Sequence, residues 1–263
     1  ELNIFAFDHR KQLADMAAEA GGDAAPIPDL KLLLLQGAQA AAKEAGLDDG
    51  RCGILADTTY GQPALNAITG KGWWIGLPIE LPSSRPLRLE HGNIGSQLID
   101  WPQEHVVKCL TFYHPKDSAE LRKEQDDLIL DVWNGCNKSG HELLLEVILP
   151  ESHPDKDEKY YLEILTHFYS MGIQPDWWKL PPLSHASWEA ISALIEQHDP
   201  HCRGILLLGL DAPEDELKAG FAAAAKSPWV KGFAVGRTIF GQPSRQWLQG
   251  ELDDAGLIEK VKN

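Results

Sequence analysis

Three ionisable residues stand inside apolar, strand-like runs, where a charge is costly. Lys179 lies in Asp176-Trp177-Trp178-Lys179-Leu180, just before a Pro181-Pro182 turn. Glu146 is the lone charge in Leu143-Leu144-Leu145-Glu146-Val147-Ile148, and Lys108 the lone charge after His105 in His105-Val106-Val107-Lys108-Cys109-Leu110. Desolvation of a lysine disfavours its ammonium form, and the neutral amine can attack a ketone to form a Schiff base. Imine formation needs a partner that moves protons, and a glutamate in an apolar setting can be that partner. Lys179 and Glu146 are therefore the candidate catalytic residues. The competing reading of the two is a buried ion pair without chemistry. Lys108 could itself be the imine lysine, or could keep its charge and bind a substrate oxygen or phosphate.

A second set of residues could bind rather than react. Gly209 follows one late apolar run, and Gly236-Arg237 follows the last. Glycine lets backbone N–H groups approach phosphate oxygens, and arginine adds a charged fork; a simple turn with a surface arginine is the plainer alternative. The first run ends in Phe7-Asp8-His9-Arg10, where Asp8 either caps the next helix or lines a pocket. Asp57 follows the second run, and Arg85 and Arg88 lie in a proline-rich loop after the third. Arg10 and Arg88 are candidates for a substrate carboxylate. The ten histidines show no H-E-x-x-H or H-x-H pattern, so a metal-free mechanism is expected.

The elements that would hold these residues alternate along the chain. Strands are expected at 2–7, 52–56, 73–79, 105–111, 143–149, 176–180, 204–208 and 231–235. Helices are expected at 11–20, 30–45, 63–68, 118–137, 157–171, 187–197, 213–226 and 244–252, with Pro213 in a first turn. Eight apolar strands alternating with helices over 263 residues match an α/β fold of the (β/α)8 barrel type. An open doubly wound sheet is the alternative, weakened because no G-x-G-x-x-G follows the first strand. In a barrel the active site gathers at the C-terminal ends of the strands, where Asp8, Asp57, Lys108, Glu146, Lys179, Gly209 and Gly236-Arg237 fall. No internal repeat or linker is visible, so residues 1–263 are treated as one domain.

The net charge of −15 argues against nucleic acid or an anionic membrane as a partner. No signal peptide and no membrane-length apolar run is present. The four cysteines are widely spaced, without a C-x-x-C pair, as expected of reduced thiols in a cytoplasmic protein. The chain begins at Glu1, within a residue of its first strand, as a domain cut from a longer polypeptide would.

In order and spacing, the motifs resemble the class I aldolase barrels related to tagatose bisphosphate aldolase. The resemblance is carried by Ala6-Phe7-Asp8-His9-Arg10, Leu55-Ala56-Asp57-Thr58-Thr59-Tyr60-Gly61-Gln62-Pro63-Ala64, Val107-Lys108-Cys109-Leu110-Thr111-Phe112-Tyr113, Leu145-Glu146-Val147, Trp178-Lys179-Leu180 and Gly236-Arg237. It implies Schiff-base formation at Lys179, proton transfer by Glu146 and substrate contact by Lys108, with no cofactor. More closely, the chain is similar to the C-terminal domain fused to 5-dehydro-2-deoxygluconokinase in bacterial myo-inositol catabolism. That likeness implies a phosphorylated keto sugar acid as substrate, 6-phospho-5-dehydro-2-deoxygluconate, cleaved to dihydroxyacetone phosphate and malonate semialdehyde. The chain departs from the family at His9, where Gln is common, and at Leu208-Gly209-Leu210, where Ser-Ala-Gly is common. A metabolite-sensing barrel that regulates a fused sugar kinase, and an aldolase for another ketose phosphate, are the alternatives. Covalent attachment to the kinase and homo-oligomerisation are both left open.

Overall fold

Parallel strands flanked by helices are buried on both faces, and the apolar runs behave accordingly. The computed structural model describes residues 1–209 and 214–263, with the side chains of 214–218 left out. The eight strands are β1 (Leu2–Ala6), β2 (Cys52–Leu55), β3 (Trp74–Pro78), β4 (His105–Phe112), β5 (Leu143–Ile148), β6 (Trp177–Leu180), β7 (Gly204–Leu208) and β8 (Val230–Val235). They close into a barrel in chain order. Among the described residues, ten α-helices lie between and after them. These are α1 (Lys11–Glu19), α2 (Ile27–Glu44), α3 (Gln62–Ile68), α4 (Ile94–Leu98), α5 (Ala119–Ser139), α6 (Lys159–Ser170), α7 (His185–His198), α8 (Glu214–Ala224), α9 (Arg237–Leu248) and α10 (Asp254–Lys262). The fold is the (β/α)8 barrel expected from the alternation of strands and helices. Pro213 lies outside the described residues.

The ends of the helices follow local rules. Ser118 accepts from Leu121 N at 3.2 Å to start α5, and Gly140, in the left-handed region at φ +76°, ends it. Asp253 accepts from Gly256 N at 2.8 Å to start α10. The expected helix at 244–252 is corrected in two ways. It begins at Arg237 and runs through Pro243, which is buried inside α9. A separate α10 then follows, too short and too polar for its Leu257–Val261 stripe to stand out in sequence. The short α4 within the β3–β4 connection was likewise not expected.

Residue contacts divide the chain into two compact units, with boundaries inside β3 and β8. The first holds Glu1–Leu77 and Phe233–Asn263. There Phe5 meets Phe240 edge-on with ring centroids 6.0 Å apart. Gly37 of α2 lies against Val261 of α10, so closely that a β-carbon on residue 37 would come within 2.7 Å of the valine side chain.

The second unit holds, among the described residues, 78–209 and 214–232. Its registers place Leu110 beside Glu146 and Glu146 beside Lys179. Asp176, just before β6, accepts from Leu143 N at 2.9 Å and helps fix the β5–β6 register. Strand residues alternate between faces, so Trp178 points oppositely to Lys179. Trp178 is fully buried, stacks on Phe168 of α6 at 6.4 Å and donates its indole N–H to the Tyr169 hydroxyl at 2.8 Å. Clamping Trp178 to α6 leaves Lys179 facing the barrel interior.

All four cysteines are free and buried. Among the described residues, no helix is long and apolar enough to cross a membrane.

Candidate active site

The second unit brings four ionisable side chains into one run. Lys179 Nζ donates to Glu146 Oε1 at 2.9 Å. Lys108 Nζ lies 3.1 Å from Glu146 Oε2 and donates to Glu80 Oε1 at 2.8 Å. Glu80, Lys108, Glu146 and Lys179 are 3%, 4%, 4% and 7% exposed. The order is acid, base, acid, base, and the formal charges cancel. Removing four charges from water is expensive, and apolar residues of similar size would fill the same space at lower cost. An interior built this way suits a reaction that needs a nucleophile and a proton carrier in a dry site.

Three of the four groups are strand residues on one face. Glu146 and Lys179 are direct neighbours across β5 and β6, and Lys108 is two residues before the partner of Glu146. Trp177, on the same face and two residues before Lys179, is nearly buried and donates its indole N–H to Glu142 at 2.7 Å. A lysine amine and a carboxylate in contact can pass a proton between them. The amine is then free to add to a carbonyl, and the carboxylic acid can return the proton to a departing hydroxyl.

Glu80 was not expected from the sequence. It stands two residues beyond the end of β3, as Asp8 does for β1 and Asp57 for β2. That shared offset is the signal in Pro78-Ile79-Glu80 that could have found it.

The loops after β4 and β5 are tied together. Asp155 accepts from the Tyr160 hydroxyl and from Lys116 Nζ, each at 2.6 Å. The His114 and His153 rings stack at 3.5 Å, and His114 Nε2 lies 2.9 Å from the Asp155 carbonyl oxygen. Lys116 N donates to His114 Nδ1 at 3.1 Å, so Nε2 carries the proton and donates to that carbonyl. Burial holds His114 below the ordinary histidine range.

The first unit gathers a second cluster at the ends of β1 and β2. Asp57 is 1% exposed, pairs with Lys31 Nζ and accepts from Tyr60 N at 2.8 Å. Lys31 Nζ also donates to the His9 carbonyl oxygen at 3.1 Å. Lys31 is fully buried in α2, and desolvation pushes its ammonium below the usual lysine range against the opposing pull of Asp57 and Asp8. Asp8 and His9 are half-buried with 3.9 Å between Oδ1 and Nδ1, and Arg10 is buried at the start of α1. The expected residues Asp8, His9, Arg10 and Asp57 thus share one neighbourhood, and its centre is Lys31, which the sequence reading passed over.

The Lys31–Asp57 pair makes a prediction about stability. Asp57→Ala should destabilise the fold by about 3–5 kcal/mol, because it leaves a buried ammonium uncompensated. The double variant with Lys31→Met should recover most of the loss. Urea unfolding of the two variants measures this, and a single-variant cost below ~1 kcal/mol would show that the pair is not held as described.

The remaining expected residues are spread further. Gly236 is required by close approach, since a β-carbon there would run into the Ala6 carbonyl oxygen of β1. Arg237 is the first residue of α9 and is half-buried. Gly209 follows β7 and is buried. Arg88 is about half exposed and pairs with Glu124 of α5 at 2.7 Å, while Arg85 pairs with Asp117. Among the described residues, no group of three or more His, Cys, Asp or Glu could hold a metal ion.

A closed (β/α)8 barrel with a buried lysine–glutamate contact on neighbouring strands defines the class of protein. The chain belongs to a family of uncharacterized proteins conserved in bacteria, DUF2090, whose profile matches residues 1–263. No curated protein matches the chain by sequence. Among solved structures, Cgl0159 from Corynebacterium glutamicum is similar at 18% identity and a TM-score of 0.62, over 100% of this chain and 84% of that one. A Schiff-base-forming fructose-1,6-bisphosphate aldolase is similar at 15% identity and 0.56, over 99% and 92%. An archaeal fructose-1,6-bisphosphate aldolase, solved with its catalytic lysine bound to the carbinolamine intermediate, is similar at 15% and 0.54, over 100% and 94%. At these identities the likeness is one of fold.

Proposed function

We propose that the chain is a Schiff-base lyase that cleaves a phosphorylated keto sugar acid by a retro-aldol reaction. The observation that carries this reading is the 2.9 Å contact between Lys179 Nζ and Glu146 Oε1, with both side chains nearly buried on adjacent strands. Solved barrels of similar fold include aldolases described as Schiff-base-forming, which supports the class of reaction. The resemblance in sequence motifs points to 6-phospho-5-dehydro-2-deoxygluconate as substrate.

The steps follow from the groups present. Glu146 takes a proton from Lys179, and the amine adds to the C5 ketone. Glu146 returns a proton to the carbinolamine hydroxyl, which leaves as water and gives an iminium ion. Glu146, a carboxylate again, takes the proton of the C3 hydroxyl, the C3–C4 bond breaks, and the electron pair moves into the iminium to form an enamine. Malonate semialdehyde departs. Protonation at C4 and hydrolysis of the imine release dihydroxyacetone phosphate and restore Lys179. Lys108, beside Glu146, is the cation nearest the reacting centre and is assigned to a substrate oxygen.

The phosphate end is assigned to Arg237 and the first turn of α9, where backbone N–H groups and the helix dipole favour an anion. With a net charge of −15, local groups of this kind must hold an anionic substrate. For the carboxylate, Arg10, which is buried, and Arg88, which pairs with Glu124, are the candidates. Arg237→Ala should weaken phosphorylated ligands and leave the unphosphorylated analogue nearly unchanged in isothermal titration. Equal losses for the two would rule out the phosphate assignment. The reaction itself is tested by supplying candidate ketose phosphates and following dihydroxyacetone phosphate through its NADH-linked reduction. Binding without cleavage across the set would favour a metabolite-sensing barrel.

A further inference from the structure

Glu80 belongs to no strand, yet it is held in place and nearly buried. Ile79 N donates to Lys108 O at 3.1 Å, and Glu90 N donates to Ile79 O at 2.8 Å. Glu80 itself forms an antiparallel bridge with Leu89, and Leu81 N donates to Arg88 O at 2.8 Å. These bonds fix the neck of the 81–88 excursion and aim a carboxylate at Lys108. The Lys108 ammonium therefore sits between two carboxylates, 2.8 Å from Glu80 Oε1 and 3.1 Å from Glu146 Oε2.

The geometry points to Glu80 as a positioning residue for the Schiff-base chemistry: it holds Lys108 against Glu146 and offsets the Lys108 charge, so that Glu146 can carry a proton in mid-cycle. This inference rests on the reading of Lys179 and Glu146 as the reacting pair. Glu146 must accept a proton and later return it. Two cations flank it, and both favour its ionised form. Conversion of Lys179 to an iminium ion does not remove that positive charge. Glu80 offsets one of the two cations through its contact with Lys108. Among the described residues, the titratable groups around this run include Lys108 and Cys109 of β4, Cys136 of α5 behind Cys109, Glu146 of β5 and Lys179 of β6. The Cys109 thiol is fully buried, and burial pushes it well up, so it adds no charge.

The test uses the intact protein, dihydroxyacetone phosphate as probe and cyanoborohydride to trap the imine, with the trapping rate followed against pH. Glu80→Gln keeps the shape and an acceptor for Lys108 but removes the charge. Its pH profile should move to lower pH, on both limbs, by on the order of one unit. Glu80→Asp keeps the charge and should lower the rate while leaving both limbs in place. If Glu80 merely supports the fold, the two variants would lose rate with unmoved limbs, and that result would overturn the inference. Limbs that move equally in Glu80→Asp would overturn it as well. Absence of any adduct in the parent protein would overturn the Schiff-base reading and the role of Glu80 together. An adduct in the parent with an unchanged profile in Glu80→Gln would overturn the role of Glu80 alone.

Discussion

Lys179→Ala is expected to remove lyase turnover by at least on the order of 10⁴-fold, because loss of a covalent nucleophile removes the reaction path rather than slowing it. On the proposed reading the other lysine of the run, Lys108, keeps its charge and does not replace it. Lys108 is held between Glu80 and Glu146, while Lys179 has its one described carboxylate contact to Glu146. The variant should fold, since Glu146 keeps Lys108 as a counter-ion. Lys179→Arg is the informative control. It keeps a positive charge beside Glu146, but a guanidinium stays protonated and cannot form an imine. Both variants should be inactive in steady-state cleavage; Lys179→Arg keeps the balance of charge, whereas Lys179→Ala leaves one buried carboxylate uncompensated and should unfold at a lower temperature than the parent. Turnover within tenfold of the parent in either would remove Lys179 from the mechanism.

The second large effect is expected at Glu146. Glu146→Gln should slow turnover by ~10²–10⁴-fold, the range associated with loss of a general acid–base. The amide preserves size and can still accept from Lys179, so the amine stays in position while its proton acceptor is lost. Imine formation should be slowed rather than abolished, because water can move the proton more slowly. The expected signature is therefore a lysine adduct that still accumulates under trapping while steady-state cleavage collapses. Unimpaired cleavage in Glu146→Gln would leave only a structural ion pair at this position.

The barrel was legible because its strands are buried on both faces and so appear as continuous apolar runs, such as Leu143–Ile148. A charge inside such a run stands out, and Lys108, Glu146 and Lys179 were found this way. Glu80 was not, because it lies beyond β3 in the coil, where a charged residue is ordinary; only its contact with Lys108 makes it unusual. Lys31 was missed for a related reason. Within Leu30-Lys31-Leu32 it reads as the polar edge of an amphipathic helix, yet it falls on the buried stripe of α2 with Ile27, Leu34 and Leu35. Burial there is set by Asp57 and the end of β1, distant in sequence. The last expected helix, 244–252, started too late: α9 begins at Arg237 and passes through Pro243, where packing of the buried Phe240 and Ser244 face outweighs one lost backbone bond. Gly236 was read as a phosphate cradle, and the structure adds a steric demand, the nearness of the Ala6 carbonyl.

The most direct test of the central claim is the site of covalent attachment in the parent protein. Incubation with dihydroxyacetone phosphate, reduction by borohydride and peptide mapping by mass spectrometry would locate it. The account predicts a single reduced adduct on the peptide carrying Trp177-Trp178-Lys179, at Lys179. An adduct at Lys108 would contradict the assignment of the nucleophile, and no adduct at any lysine would contradict the Schiff-base reading itself.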